Sequence, residues 1–126
     1  MLRAGRLTMQ YEKGSLRYIA AGTTEILRAV YPAVRDPNWL TLEPRVVEEK
    51  ITSDKDSFTV RLTCRYRKAG IDFLAHYRIE GGPGNTVTLT MDGQALRTFK
   101  KNRIGFCVLH PIAGLTGEPC EITHPD

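Results

Sequence analysis

The side chains best able to do chemistry in this sequence fall in two short stretches. One is Asn102-Arg103-Ile104-Gly105-Phe106-Cys107-Val108-Leu109-His110-Pro111. Arg103 offers a planar fork of donors that stays charged at any ordinary pH, and Asn102 both donates and accepts. Together they suit carboxylates and sugar hydroxyls. The same basic run, with Lys100 and Lys101, reads equally well as a solvated turn. His110 precedes Pro111, which forces extended backbone and tends to set the imidazole at a sheet rim. There it could serve as a general acid or base, or simply bond a backbone carbonyl. The second stretch is Arg35-Asp36-Pro37-Asn38-Trp39, with the chain's one tryptophan. Trp39 could stack on a sugar ring; the simpler reading has it closing one end of the core with its N–H bonded to a loop. Asp92, where a strand pattern ends, is a further candidate.

Other chemistries find less support. Cys107, His110, Cys120 and His124 have the spacing C-x2-H and C-x3-H, which invites zinc. On a strand, however, Cys107 and His110 point to opposite faces, and buried free thiols are the preferred reading. No metal is therefore expected. Ser15, Ser53 and Ser57 lie outside any Gly-x-Ser-x-Gly context. Neither a P-loop, a dinucleotide-binding glycine fingerprint nor HExxH occurs, so no cofactor is expected. The run Gly81-Gly82-Pro83-Gly84 is a hairpin turn, because no helix pattern follows it to cradle a phosphate.

The elements that must position these residues read as strands. Phe58, Val60, Leu62, Cys64 and Tyr66 alternate with Thr59, Arg61, Thr63, Arg65 and Arg67, the period-2 signature of a half-buried strand. Ile71, Phe73, Ala75, Tyr77 and Ile79 continue the pattern, as do Val87, Leu89 and Met91, where the strand is read as ending. A turn at Lys68-Ala69-Gly70 would set Tyr66 against Ile71, Cys64 against Phe73 and Arg65 against Asp72. A turn at Gly81-Gly82-Pro83-Gly84-Asn85 would set Ile79 against Val87. Leu7, Met9 and Tyr11 alternate ahead of a turn at Lys13-Gly14-Ser15, then Leu16-Arg17-Tyr18-Ile19 follows, and residues 46–51 form another short strand. Residues 24–34 have helical spacing with Thr23 as a cap, but Pro32 would break a helix there. They are read as a strand buried on both sides. A meander with one apolar face requires a cover, and a second sheet is the expected one. The fold class is thus all-β, an antiparallel β-sandwich, with residues 1–126 forming one domain.

Composition narrows the class. At 126 residues, 41% apolar and 25% charged, the chain is that of an ordinary globular domain. No run approaches a membrane span and no signal peptide pattern opens it, so a cytoplasmic protein without membrane contact is expected. Three cysteines are not a disulfide framework. The net charge of +4 is shared evenly between the two halves, whereas nucleic-acid binding usually concentrates charge on one face. Arg65-Tyr66-Arg67-Lys68 does not rescue that reading, since Tyr66 faces the core and cannot stack on bases.

Gly14-Ser15-Leu16-Arg17-Tyr18-Ile19, Glu25-Ile26-Leu27-Arg28, Ala33-Val34-Arg35-Asp36 with Asn38-Trp39, and above all the stretch from Asn102 to Pro111 resemble the N-terminal domain of D-apionate lactonase-type proteins. These are bacterial enzymes of sugar-acid catabolism that open the lactone of a branched-chain pentose acid. The stretch from Asn102 to Pro111 also resembles, more loosely, sugar-handling sandwiches of the mutarotase-like or supersandwich-like kind. The resemblance implies a longer protein in which this sandwich precedes a C-terminal barrel domain, making the present chain an N-terminal fragment. It implies a sugar acid or lactone as small-molecule partner, with Arg103, Asn102 and His110 holding its oxygens and Asp92, Arg35 and Trp39 assisting. No catalytic residue carries over. The alternative is a free-standing, non-catalytic module that binds carbohydrate or sugar acid.

Overall fold

A computed structural model describes residues 1–125. Nine strands follow one another: β1 (Leu2–Ala4), β2 (Leu7–Glu12), β3 (Ser15–Ala21), β4 (Thr24–Arg35), β5 (Arg45–Ser53), β6 (Phe58–Lys68), β7 (Ile71–Gly82), β8 (Thr86–Ala95) and β9 (Arg103–Leu109). They build two antiparallel sheets, a five-stranded one ordered β1-β2-β3-β4-β9 and a four-stranded one ordered β5-β6-β7-β8. The expected β-sandwich is present, and no helix occurs among the described residues. None, accordingly, is long and apolar enough to cross a membrane.

The core lies between the sheets. Leu16, Val30 and Val34 of one sheet meet Val60, Leu62, Tyr66, Tyr77 and Ile79 of the other, all nearly or fully buried. Each such side chain contributes roughly 1.5–3 kcal/mol by leaving water. The inward sets of β6 and β7 are those the alternation marks. Their registers differ from expectation by two residues. Ala69 and Gly70 both take left-handed φ, 54° and 82°, forming a two-residue turn of the kind that matches strand twist. Lys68 therefore faces Ile71, Tyr66 faces Phe73 and Cys64 faces Ala75. Likewise Pro83-Gly84-Asn85 is a three-residue loop that sets Gly81 against Val87 and Ile79 against Leu89. A slip of two preserves which face each side chain occupies. That is why Arg65 still grips Asp72 through both guanidinium donors, at 3.1 and 3.0 Å, from a diagonal position.

Residues 24–34 form a strand, as expected, and the burial on both sides begins only at Ala29. Pro32 lies beyond the last β3–β4 pair, Leu16 with Val30. There β4 keeps a single neighbour and a residue without an N–H is accommodated. β8 runs on to Ala95, four residues past Met91, because Asp92, Gly93, Gln94 and Ala95 pair in register with His76, Ala75, Leu74 and Phe73. Asp92 thus sits on a sheet face, not in a loop.

Candidate functional site

The end of β4 and the start of β9 lie side by side. Arg35 pairs with Arg103, Ala33 with Gly105 and Tyr31 with Cys107. Val34 and Ile104 point into the core, so by alternation Arg35, Arg103 and Cys107 share the outer face of the five-stranded sheet. Two arginines directly opposed across a ladder repel one another, and no carboxylate stands between them. Arg35 turns one guanidinium nitrogen, Nη2, toward Cys107 Sγ at 3.7 Å. Its Nε is buried and has no hydrogen-bond partner. Arg103 instead lies over the Trp39 ring, 5.7 Å from the centroid.

The loop after β4 is what brings Trp39 there. Asp36 is buried, 5% exposed, and its Oδ1 accepts from the backbone N–H of Asn38 at 2.8 Å and of Leu40 at 3.0 Å. The Trp39 N–H donates to the Asp36 carbonyl, and the Asp36 N–H to the Leu40 carbonyl, both at 3.0 Å. The Asp36 carboxylate is thereby committed to the backbone of its own turn and leaves the Arg35 charge unanswered. Trp39 takes a left-handed φ of 68° at the tip and is 55% exposed. The expectation that Trp39 closes the core is therefore corrected: the Asp36-centred turn swings the indole outward, onto Arg103. On the other side, the Asn102 N–H donates to the Arg35 carbonyl at 2.9 Å, which ties the β9 approach to the end of β4.

Arg35, Lys101, Asn102, Arg103, Gly105 and Cys107 line a cavity of about 320 Å³ at this place. Its lining contains three cations and no acid, and its floor at Gly105 is open, since a Cβ there would meet nothing within 4 Å. Four of the residues expected from sequence, Arg35, Trp39, Asn102 and Arg103, are thus brought together. Two are not. His110 is exposed past the far end of β9, seven residues from Arg103, or roughly 20 Å at about 3.3 Å per residue. Asp92 faces outward on the four-stranded sheet, in a row with Glu48, Thr63 and His76. That row borders a depression of about 890 Å³, in which Thr63 Oγ1 lies 3.0 Å from His76 Nδ1 and Arg78 turns to Glu80 at 2.8 Å.

Three further contributors lie within the two stretches but were not singled out for this site. Asp36 organises the turn, and the Asp-Pro-Asn signature of a side-chain-stabilised turn was the available signal. Gly105 and Cys107 join the site only through the β4–β9 pairing, which no local pattern announces. Among the described residues no three His, Cys, Asp or Glu side chains converge as a metal site would require.

Fold and cluster together define an antiparallel β-sandwich with a cationic, aromatic-flanked cavity on the outside of one sheet. Over residues 1–126 the sequence matches the family described as D-apionate lactonase, N-terminal domain, and the chain belongs to that family. It is 34% identical over 130 residues to the D-apionate lactonase of Brucella anthropi, an alignment that covers 99% of this chain. The chain spans 21% of the length of that relative. No solved structure matches it.

Proposed function

We propose that this domain forms one wall of the substrate site of a sugar-lactone hydrolase, of the type that converts D-apionolactone to D-apionate, with Arg35, Asn102 and Arg103 as its binding groups. The observation that carries this reading is the buried, unpartnered Nε of Arg35 beside a second arginine and no carboxylate. Leaving a buried donor unmatched costs about 1–3 kcal/mol, more for a charged group, and an anion seated in the cavity beside this guanidinium would offset its unbalanced charge. Opening a lactone places negative charge first on the carbonyl oxygen and finally on a carboxylate. Guanidinium groups fixed before the reaction can stabilise that charge. Arg103, stacked on Trp39, is among the residues lining the cavity, and Asn102 supplies a group able to donate or accept at a sugar hydroxyl. The role is binding and charge neutralisation, with the remaining length of the protein supplying the hydrolytic groups.

Steady-state kinetics of Arg103→Ala in the full-length protein test this. Loss of a charged hydrogen bond of about 1.5–3 kcal/mol lowers kcat/KM by roughly 10- to 150-fold. Unchanged turnover would leave the domain a scaffold. A second reading, the free-standing sugar-acid-binding module, draws on the cationic lining of the cavity and the exposed indole beside it. Calorimetry of the 126-residue chain against aldonic acids separates the two. Binding by the isolated chain supports the module, whereas a flat isotherm combined with an Arg103→Ala defect in the full-length enzyme supports the wall.

A further inference from the structure

The four sheet edges of this sandwich are not alike. An edge strand exposes unpaired N–H and C=O groups, and proteins blunt such edges with short strands, bulges, charges or proline. β1 is only three residues long. β5 carries a register shift between Val46 and Glu48 and places Glu48, Glu49 and Lys50 on the edge. β8 alternates its apolar residues with threonines and Asp92. β9 has none of these devices after Arg103. Its run Ile104-Gly105-Phe106-Cys107-Val108-Leu109 contains no charge and no proline, and its seven pairs with β4 are unbroken.

The burial along β9 is also that of an interrupted sheet. Val108 pairs with Val30 and shares its core-facing side, yet Val30 is 6% exposed and Val108 is 49% exposed. Leu109, on the opposite face, is nearly half exposed as well. A strand apolar on both faces has the composition of one covered on both faces, and here it stands at an edge with Val108 and Leu109 about half exposed. The segment that follows adds Ile112 and Leu115, both exposed and outside any strand.

We propose that in the full-length protein the free edge of β9 is paired by an extended segment of the same polypeptide, drawn from sequence outside these 126 residues, which becomes the sixth strand of that sheet. Main-chain hydrogen bonds along Arg103–Leu109 give the attachment, and side chains of the added strand cover Val108 on one face and Leu109 on the other. The occupant is identified by the family: this is an N-terminal domain, and the Brucella anthropi relative carries about four-fifths of its length outside the matched part. The pairing is independent of the substrate-wall reading, because it uses the backbone edge of β9 and not the arginine cavity.

Amide hydrogen exchange of the full-length wild-type protein, read residue by residue across 103–109, tests it. In an antiparallel edge strand about every second N–H points to the free side. With a sixth strand in place all amides of β9 are protected, the outward ones slowed on the order of a hundredfold or more over unpaired amides, in a monomer and at every protein concentration. Fast exchange of alternate amides would mean the edge is open and overturns the proposal. Protection that appears only as the protein dimerises, followed by light scattering on the same samples, would make a second copy the occupant and overturns it as well.

Discussion

Arg103 and Trp39 meet at 5.7 Å from guanidinium to ring centroid, although 64 positions separate them in the chain. Each is delivered by a different device. The Asp36 carboxylate folds the turn that carries Trp39, and the β4–β9 register sets Arg103 opposite Arg35. A cation over an exposed indole is worth about 0.5–1 kcal/mol, so Trp39→Ala in the full-length enzyme should raise KM roughly two- to fivefold. Because the indole acts through Arg103, Trp39→Ala should add nothing to Arg103→Ala. Kinetics of the two single variants and the double variant check this, and independent, additive losses would show that Trp39 has no positioning role.

Gly105 offers a way to close the cavity without touching its charges. A Cβ at this position meets nothing within 4 Å, and valine suits an extended strand. Gly105→Val is expected to leave the thermal midpoint unchanged or slightly higher. Its branched side chain raises the cavity floor next to Arg35 and Arg103, so KM should rise by roughly tenfold, equivalent to about 1.4 kcal/mol. Normal kinetics in a stably folded Gly105→Val protein would place substrate elsewhere.

The alternation in β6 and β7 made the inward faces legible, down to the burial of Tyr66. It could not fix register, because a slip of two leaves every side chain on the same face. Register depended instead on Ala69 adopting a left-handed φ usually reserved for glycine or asparagine. The same limit applies to the candidate site. Arg35, Trp39, Asn102 and Arg103 stood out by residue type, but whether they share a place depends on β4 pairing with β9, a contact between distant segments. His110 shared a motif with Arg103 and was separated from it by the length of the strand between them. Asp92 was displaced by the four extra residues of β8, whose partners on β7 no local pattern in residues 92–95 reveals.

The Arg65–Asp72 pair provides a pH dependence whose sign follows from the geometry. Two hydrogen bonds from Arg65, reinforced by the charges of Arg67 and Arg97, hold the Asp72 carboxyl below its ordinary value. A carboxylate with a lowered folded-state pKa contributes stability above its unfolded value and loses that contribution as pH falls through the folded value. Asp72→Asn should therefore lower the urea midpoint at neutral pH. The difference from wild type should shrink as pH drops below about 4, the ordinary range for aspartate. A difference that stays constant into acid would mean that packing, not charge, accounts for the effect.

The hydroxyls of Tyr66 and Tyr77 lie 2.7 Å apart inside the core, and burial raises both phenols, Tyr77 to about 12 and Tyr66 further. Each oxygen is the other's partner in an otherwise apolar interior. Tyr66→Phe leaves the Tyr77 hydroxyl buried and unmatched, a cost of about 1–3 kcal/mol, and Tyr77→Phe does the same to Tyr66. Removing both hydroxyls leaves no orphan and exchanges a polar contact for an apolar one of nearly the same shape. Tyr66→Phe/Tyr77→Phe should therefore be less destabilised than either single variant, a non-additivity that denaturant unfolding of the four proteins measures directly. The pair also sets an alkaline limit. With folded pKa values raised, the tyrosines stay neutral in the native state while the unfolded chain ionises near the ordinary value of about 10, so stability falls as pH rises through that range. The double variant should lose less stability than wild type between about pH 10 and 12, and parallel losses in the two proteins would show that other groups govern alkaline unfolding.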